Sequence, residues 1–329
     1  MPAKVLIGPA PLKGIDDCFA PQLRAAGLEP VFSKQTAQMS EAELLDQLPG
    51  CVASLAGSEP YTRKVIEVAS KAGLKVIARA GVGYDAVDVA AATEHGIAVC
   101  FAPGTNQDAV AEHAILLMLA LSKSLIPQHE KVKLGQWPRR MYEPFRGRTL
   151  GIVGFGRTGK AVAARAAAFN VTLLATDPVW DEAFAAKHNV RRVELDELFT
   201  SSDIVSLHVP HTPVTKQMIN SRTLGLMKPT AFLVNTARGP VVDEAALFDA
   251  LSNNRIAGAG LDVFVNEPPL NSPLLTLDNV VVTAHTAGVD KQSLRDMGRV
   301  AAESIAALLT GKWPTECVVN CDVRSIWKQ

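Results

Sequence analysis

Short apolar runs alternate with helix-patterned stretches along nearly the whole chain, and that alternation confines it to an α/β fold with mostly parallel sheets. A first series predicts strands at Val5–Ile7, Glu29–Phe32, Val52–Leu55, Lys75–Ala78 and Ala98–Cys100, with helices such as Pro60–Lys71 between them. A second series opens at Thr149, with strands near Leu150–Val153, Thr172–Thr176, Ile204–Leu207, Phe232–Asn235, Gly260–Val263 and Val280–Thr283. The runs are continuously apolar rather than alternating, as in strands buried on both faces. A chain of 329 residues has room for two such sheets.

The joints between the series suggest how the domains are arranged. Thr105 and Asn106 are candidate N-caps for an apolar helix reaching to about Ser124. It is apolar nearly all round, which predicts burial between domains or subunits. Near the C-terminus, Leu294, Met297, Ala301, Ile305 and Leu308 recur at helical spacing within Asp290–Leu309, and Gly311 and Pro314 stop the pattern. This helix is expected to return the chain to the first domain. The expected division is therefore residues 1–101 with 290–329 as one discontinuous domain, and 102–289 as a nucleotide-binding domain inserted into it.

Composition narrows the function. Lys plus Arg and Asp plus Glu both number 33, and no basic run stands out, so neither nucleic acid nor a membrane surface is an expected partner. The 5 cysteines read as reduced thiols rather than a disulfide framework, and Cys317 with Cys321 lacks the further ligands a metal site needs, so no metal is assigned. Residues 1–10 fit a first strand better than a signal peptide, and Ala109–Leu121 falls short of the roughly 20 residues of a membrane span. A cytoplasmic, small-molecule role is expected.

The clearest chemical motif is GFGRTG, where Gly154, Gly156 and Gly159 follow an apolar strand and precede the helical stretch Lys160–Phe169. In such a motif the glycines allow a tight turn, close approach of a pyrophosphate, and packing of helix on strand. Free amides around Arg157 and Thr158 would hold the anion. The next strand ends in Asp177, about twenty residues on, where a carboxylate can accept hydrogen bonds from ribose hydroxyls. It would repel a 2′-phosphate, and Pro178, Val179 and Trp180 after it supply no cation, so NAD is the expected cofactor. The alternative is an ordinary glycine turn, with Asp177 capping the turn before Pro178.

GFGRTG, SLHVPHTPVT, LMKPTAFLVNTARGPVVDEAAL, AGAGLDVFVNEPP and TAHTAG occur in succession, with RAGVGYDAVD upstream. Together they resemble the D-isomer-specific 2-hydroxyacid dehydrogenases, the group that includes phosphoglycerate dehydrogenase and hydroxypyruvate reductase, over roughly Lys75 to Gly311. The resemblance implies two Rossmann-like domains, the substrate domain flavodoxin-like, and NAD-dependent hydride transfer between a D-2-hydroxy acid and its 2-keto acid. It places the substrate carboxylate on Arg238, acid/base work on His285 and the partner of that histidine on Glu267. It also assigns Val82 and Gly83, with Arg79, to the substrate. His208 and Pro210 fall beside the cofactor, Thr236 and Ala237 at the nicotinamide ribose, and Asp262 near the carboxamide. Chemistry agrees on the trio, since reducing a ketone needs a proton on oxygen as hydride reaches carbon, and a carboxylate beside an imidazole stabilises the imidazolium.

Taken singly these residues also read as ordinary: a surface arginine, a loop glutamate, a strand-capping histidine, a core histidine at His208, a helix cap at Asn106. The chain departs from the family pattern at Ala284, where proline is common, and at His211, where leucine is common. The loop LAGSEPYT lacks the arginine usual in phosphoglycerate dehydrogenases, which argues against a phosphorylated substrate. Other readings of the same motifs are an NAD-sensing corepressor and a formate or phosphite dehydrogenase, although formate enzymes pair the histidine with glutamine. The apolar Ala109–Leu121 helix and the arm from Trp137 to Phe145 predict a homodimer.

Overall fold

The two series of apolar runs fold as two separate parallel sheets in the computed structural model, which describes residues 2–35 and 38–327. The chain divides into two units, Met1–Asn106 with Val289–Gln329 and Gln107–Gly288.

The first unit holds β1 (Ala3–Ile7), β2 (Leu28–Phe32), β3 (Cys51–Ala56), β4 (Val76–Arg79) and β5 (Ala98–Cys100) in the order β2-β1-β3-β4-β5, all parallel. This is the flavodoxin-like order. Successive side chains of a strand point to opposite faces. Leu6, Ile77 and Val99 meet Leu44, Val65, Ile66 and Ala91 from helices on one face. Val5, Ile7, Ala53 and Ala78 meet Leu23, Ala301, Ile305 and Leu308 on the other, the last three carried by the helix Lys291–Leu309. Both faces are therefore covered, and the strands read as unbroken apolar runs. Burying a side chain such as Ile305 contributes roughly 1.5–3 kcal/mol before entropy is counted.

Local chemistry sets the helix ends. The Pro60–Lys71 pattern becomes a helix only at Arg63, because the Thr62 hydroxyl accepts from Val65 N and Tyr61 N–H is engaged by Ala86 O at 2.8 Å. Asp290 lies just outside the last long helix and caps it, accepting from Ser293 N at 2.7 Å.

The second unit holds β6 (Thr149–Val153), β7 (Thr172–Thr176), β8 (Val190–Arg192), β9 (Ile204–Leu207), β10 (Phe232–Asn235), β11 (Gly258–Leu261) and β12 (Val280–Val282), ordered β12-β11-β10-β9-β6-β7-β8. Strand β8 is absent from the sequence reading. It is an edge strand of three residues whose Arg191 and Arg192 are exposed, leaving only Val190 and Val193 as apolar signal. Strand β11 starts earlier than predicted because glycines there make room for a helix. A Cβ on Gly260 would lie 3.0 Å from Leu117 Cβ.

That helix, Gln107–Ser122, corrects an expectation. Its Ala111, Ala114, Leu117 and Met118 pack against Ile152, Val162 and Val234 of the same unit, so its apolar surface is buried inside the second unit rather than between bodies. Of its large apolar side chains only Leu116, at 51%, is exposed. Thr105 does not cap it in the expected way; its hydroxyl donates back to Ala102 O at 2.8 Å. No single helix among the described residues is long and apolar enough to cross a membrane.

Candidate active site

The glycine loop lies where β6 runs into the helix Arg157–Ala166. Gly154 has φ +97°, a region L side chains rarely adopt, and a Cβ there would sit 2.5 Å from His208 O. A Cβ on Gly159 would sit 2.0 Å from Gly154 O, so only glycine lets the helix seat on the strand. At Gly156 a Cβ would enter open space, the room a pyrophosphate needs. No side chain caps the helix start at Gly156, leaving the amides of Arg157, Thr158 and Gly159 for an anion.

Asp177 follows β7. Its Oδ2 accepts from Phe155 N and its Oδ1 from Val179 N, both at 2.7 Å, so the carboxylate ties the glycine loop to the turn after β7 and keeps lone pairs for further donors. The fold also brings in a cation that the residues after Asp177 do not supply. Arg192, from the unforeseen β8, reaches Asp177 O at 3.4 Å and lies over the Trp180 ring, which stacks on Phe155.

Strands β9, β10 and β6 end side by side, and the strand order reverses at β6, where open sheets of this kind bind ligands. His208 and Thr236 stand at these ends. Ser206 Oγ engages His208 Nε2 at 2.9 Å, while His208 Nδ1 and Thr236 Oγ1 are buried with no hydrogen-bond partner among the described residues. Burial pushes the His208 imidazole down to about 4, so it is neutral near pH 7. Two orphaned polar atoms beside a glycine cradle fit a dinucleotide with its nicotinamide ribose at these strand ends. Pro210 O is held by the Thr215 hydroxyl at 2.6 Å.

Arg238, Glu267 and His285 come together through their loops. Asn235 shapes the turn after β10: its Oδ1 accepts from Ala237 N and its Nδ2 donates to Arg238 O, both at 3.0 Å. Gly239 allows that turn to lie against the loop after β11, since a Cβ there would be 1.9 Å from the carbonyl carbon of Phe264. The Arg238 guanidinium donates to Ala237 O at 2.6 Å. Glu267 accepts from Phe264 N at 2.9 Å through Oε1 and pairs with His285 Nδ1 at 2.6 Å through Oε2. Partial burial alone would raise the Glu267 carboxyl. The His285 and Phe264 hydrogen bonds and the charges of His285 and Arg238 outweigh it and hold the group below its usual range. An ionised Glu267 requires the proton on Nδ1, which leaves Nε2 of the half-exposed imidazole as the atom to exchange a proton with a ligand.

His285 adopts φ 53°, the left-handed region, at a cost of about 1–3 kcal/mol for a non-glycine residue. Asp262 holds it there. Its backbone oxygen accepts from His285 N, its Oδ1 from the Thr283 hydroxyl at 2.6 Å and from Thr286 N at 2.9 Å, and its Oδ2 from Ala287 N at 2.9 Å. The carboxylate is 1% exposed and keeps room for about one more donor, such as a carboxamide. Its main visible task, holding the histidine loop, is one that the sequence does not announce.

Arg79, Val82 and Gly83 lie in the first unit. Arg79 is 8% exposed, and its Nε donates to Gly83 O at 2.9 Å, folding the Gly81–Gly83 loop over the end of β4. Val82 stands exposed at the tip of that loop. Asn106 immediately precedes the Gln107–Ser122 helix.

A profile of the D-isomer specific 2-hydroxyacid dehydrogenase NAD binding domain matches residues 115–287. Over 286 residues the chain is 41% identical to D-3-phosphoglycerate dehydrogenase of Methanocaldococcus jannaschii, covering 86% of this chain and 54% of that protein. It is 40% identical over 294 residues to glyoxylate reductase of Korarchaeum cryptofilum, covering 87% and 88%. The crystal structure of D-lactate dehydrogenase from Aquifex aeolicus complexed with NAD and lactic acid superposes with a TM-score of 0.83 at 27% identity, covering 96% of this chain and 98% of that one. The chain belongs to the D-isomer specific 2-hydroxyacid dehydrogenase family, and its second unit carries that family's NAD-binding domain. It spans about half the length of the D-3-phosphoglycerate dehydrogenases it matches.

Proposed function

We propose that this chain is an NAD-dependent oxidoreductase that interconverts a D-2-hydroxy acid and its 2-keto acid. The observation that carries the reading is the 2.6 Å pair of His285 Nδ1 with a depressed Glu267 carboxylate, beside Arg238. Bound NAD supplies the hydride acceptor for oxidation and, when reduced, the hydride donor. Arg238 grips the substrate carboxylate and draws charge from the neighbouring carbonyl. His285, protonated, gives the Nε2 proton to the ketone oxygen as the alkoxide develops, and Glu267 stabilises the imidazolium and fixes its orientation. In the first unit, Arg79 holds the loop of Val82 and Gly83, whose backbone amides are proposed as carboxylate binders.

The loop of residues 57–62, after β3, favours an unphosphorylated acid. It has no arginine, and it carries Glu59, 1% exposed, whose carboxyl is raised by burial despite the nearby Arg79 charge. Glyoxylate and hydroxypyruvate are the expected substrates ahead of phosphohydroxypyruvate. The thiols all stand free, which supports a reducing, cytoplasmic setting. A homodimer is proposed from the apolar side chains left exposed after Ser124, among them Trp137 at 78% and Met141 at 100%.

The test is NADH oxidation over glyoxylate, hydroxypyruvate, phosphohydroxypyruvate, sulfopyruvate and branched 2-keto acids. His285→Ala is expected to lower kcat by about 10²–10⁴-fold with NADH affinity intact, while Arg238→Ala raises KM and lowers kcat together. Oxidation with none of these acids, or near-wild-type turnover in either variant, would reject the assignment.

A further inference from the structure

We propose that His113, on the helix Gln107–Ser122, is a positioning residue for His285, acting through Thr283 and Asp262. The inference rests on the acid/base reading of His285 and adds a residue outside the trio.

His113 Nε2 lies 2.9 Å from Thr283 Oγ1 and 3.6 Å from Asp262 Oδ1, and the histidine side chain is 15% exposed. Thr283 has one hydroxyl proton, and it goes to Asp262 Oδ1 at 2.6 Å. The threonine oxygen can then only accept from His113, so the imidazole must carry its proton on Nε2. The chain of donors is directional, from His113 Nε2–H to Thr283 Oγ–H to the Asp262 carboxylate, and each link polarises the next.

The same carboxylate accepts from the amides of Thr286 and Ala287, and the Asp262 backbone oxygen accepts from His285 N. The segment from Thr283 to Ala287 is thus drawn around one buried anion, with His285 in its middle at φ 53°. A strained residue keeps its conformation only where its surroundings over-determine it. His113 supplies the last constraint from outside the loop: it fixes the direction of the Thr283 hydroxyl and ties the loop to a helix buried in the unit's core. Without that donor the hydroxyl can rotate off Asp262, the loop can relax from the left-handed geometry, and Nε2 of His285 loses its aim. The trio itself remains chemically complete.

The experiment uses the full chain with NADH and the best keto acid from the substrate screen. Kinetics, NADH binding by fluorescence and thermal midpoints are measured for wild type, His113→Leu, His113→Gln, Thr283→Val and Thr283→Ser, with His285→Ala as reference. His113→Leu and Thr283→Val are expected to lower kcat by about 10- to 100-fold, the scale of a small misplacement of a reacting group, with KM and NADH affinity little changed. His113→Gln, which can place an amide N–H where Nε2 stands, and Thr283→Ser are expected to recover most of that loss. The double variant His113→Leu, Thr283→Val should be no worse than the worse single one, since both break one chain. Wild-type kcat in folded His113→Leu or Thr283→Val overturns the proposal, and so does His113→Gln as impaired as His113→Leu. Should His113→Leu fail to fold, the Thr283 pair decides on its own. Unimpaired turnover in His285→Ala would instead overturn the proposed function, and with it this inference.

Discussion

Asp177 shows how a residue's place in a chain and its place in space can carry different messages. Its carboxylate takes two backbone amides and retains acceptor capacity for a ribose. Asp177→Ala is expected to weaken NADH binding and narrow its lead over NADPH, with fluorescence titration of both cofactors as the measurement; a wild-type preference for NADPH would contradict the reading. Arg192, close to the Asp177 carbonyl, moderates the repulsion a 2′-phosphate would meet. His208 leads to a pH dependence. Its folded value of about 4 lies below the ordinary histidine range near 6.5, so between those limits the unfolded chain binds a proton that the folded chain refuses. The stability gained from keeping it neutral is present above about pH 6.5 and lost as pH falls towards 4. Thermal midpoints of the ligand-free protein should fall across that window, and less so in His208→Gln.

At the level of elements, the contact between the loops after β10 and β11 holds the trio together. Gly239→Ala puts a methyl group 1.9 Å from the Phe264 backbone, so the loops must part. A loss of about 1–3 kcal/mol in stability is expected, read as a lower midpoint in denaturant, together with a kcat loss, because Arg238 and Glu267 sit on the two separating loops. Much of this was legible in the chain. The apolar runs mark nearly every strand, and the strand-glycine-helix order marks the nucleotide loop. Strand β8 was not legible, because an exposed edge strand with two arginines has no buried face to impose a pattern. The tasks of Asn235, His113 and Asp262 were not either, since a side chain that holds another loop does so across distances a sequence does not display. The Gln107–Ser122 helix misled for a different reason: apolarity all round says that a helix is covered but not by what, and the glycines of β11 that receive it carry no signal of their own.

For the whole molecule, covering that helix within its unit moves the argument for association elsewhere. Leu125, Ile126, Val132, Leu134, Trp137 and Met141 remain exposed after Ser124. Surface of this kind, buried at roughly 25 cal/mol per Å², can hold two subunits against the entropy of association. Light scattering at low micromolar concentration is expected to give twice the mass of one chain, and Trp137→Ser with Met141→Ser to shift it towards one; a wild-type mass near that of a single chain rejects the dimer. The route of the chain through its two units has a further consequence. Domains generally fold as units in the order they are synthesised, yet the first unit here cannot finish first. The helix that covers Val5, Ile7, Ala53 and Ala78 is Lys291–Leu309, made after every strand of the second unit. A growing chain therefore has every strand of both sheets before it has the helix that covers the older sheet's apolar face. Until the Lys291–Leu309 helix arrives, the nascent protein is most open to misassociation.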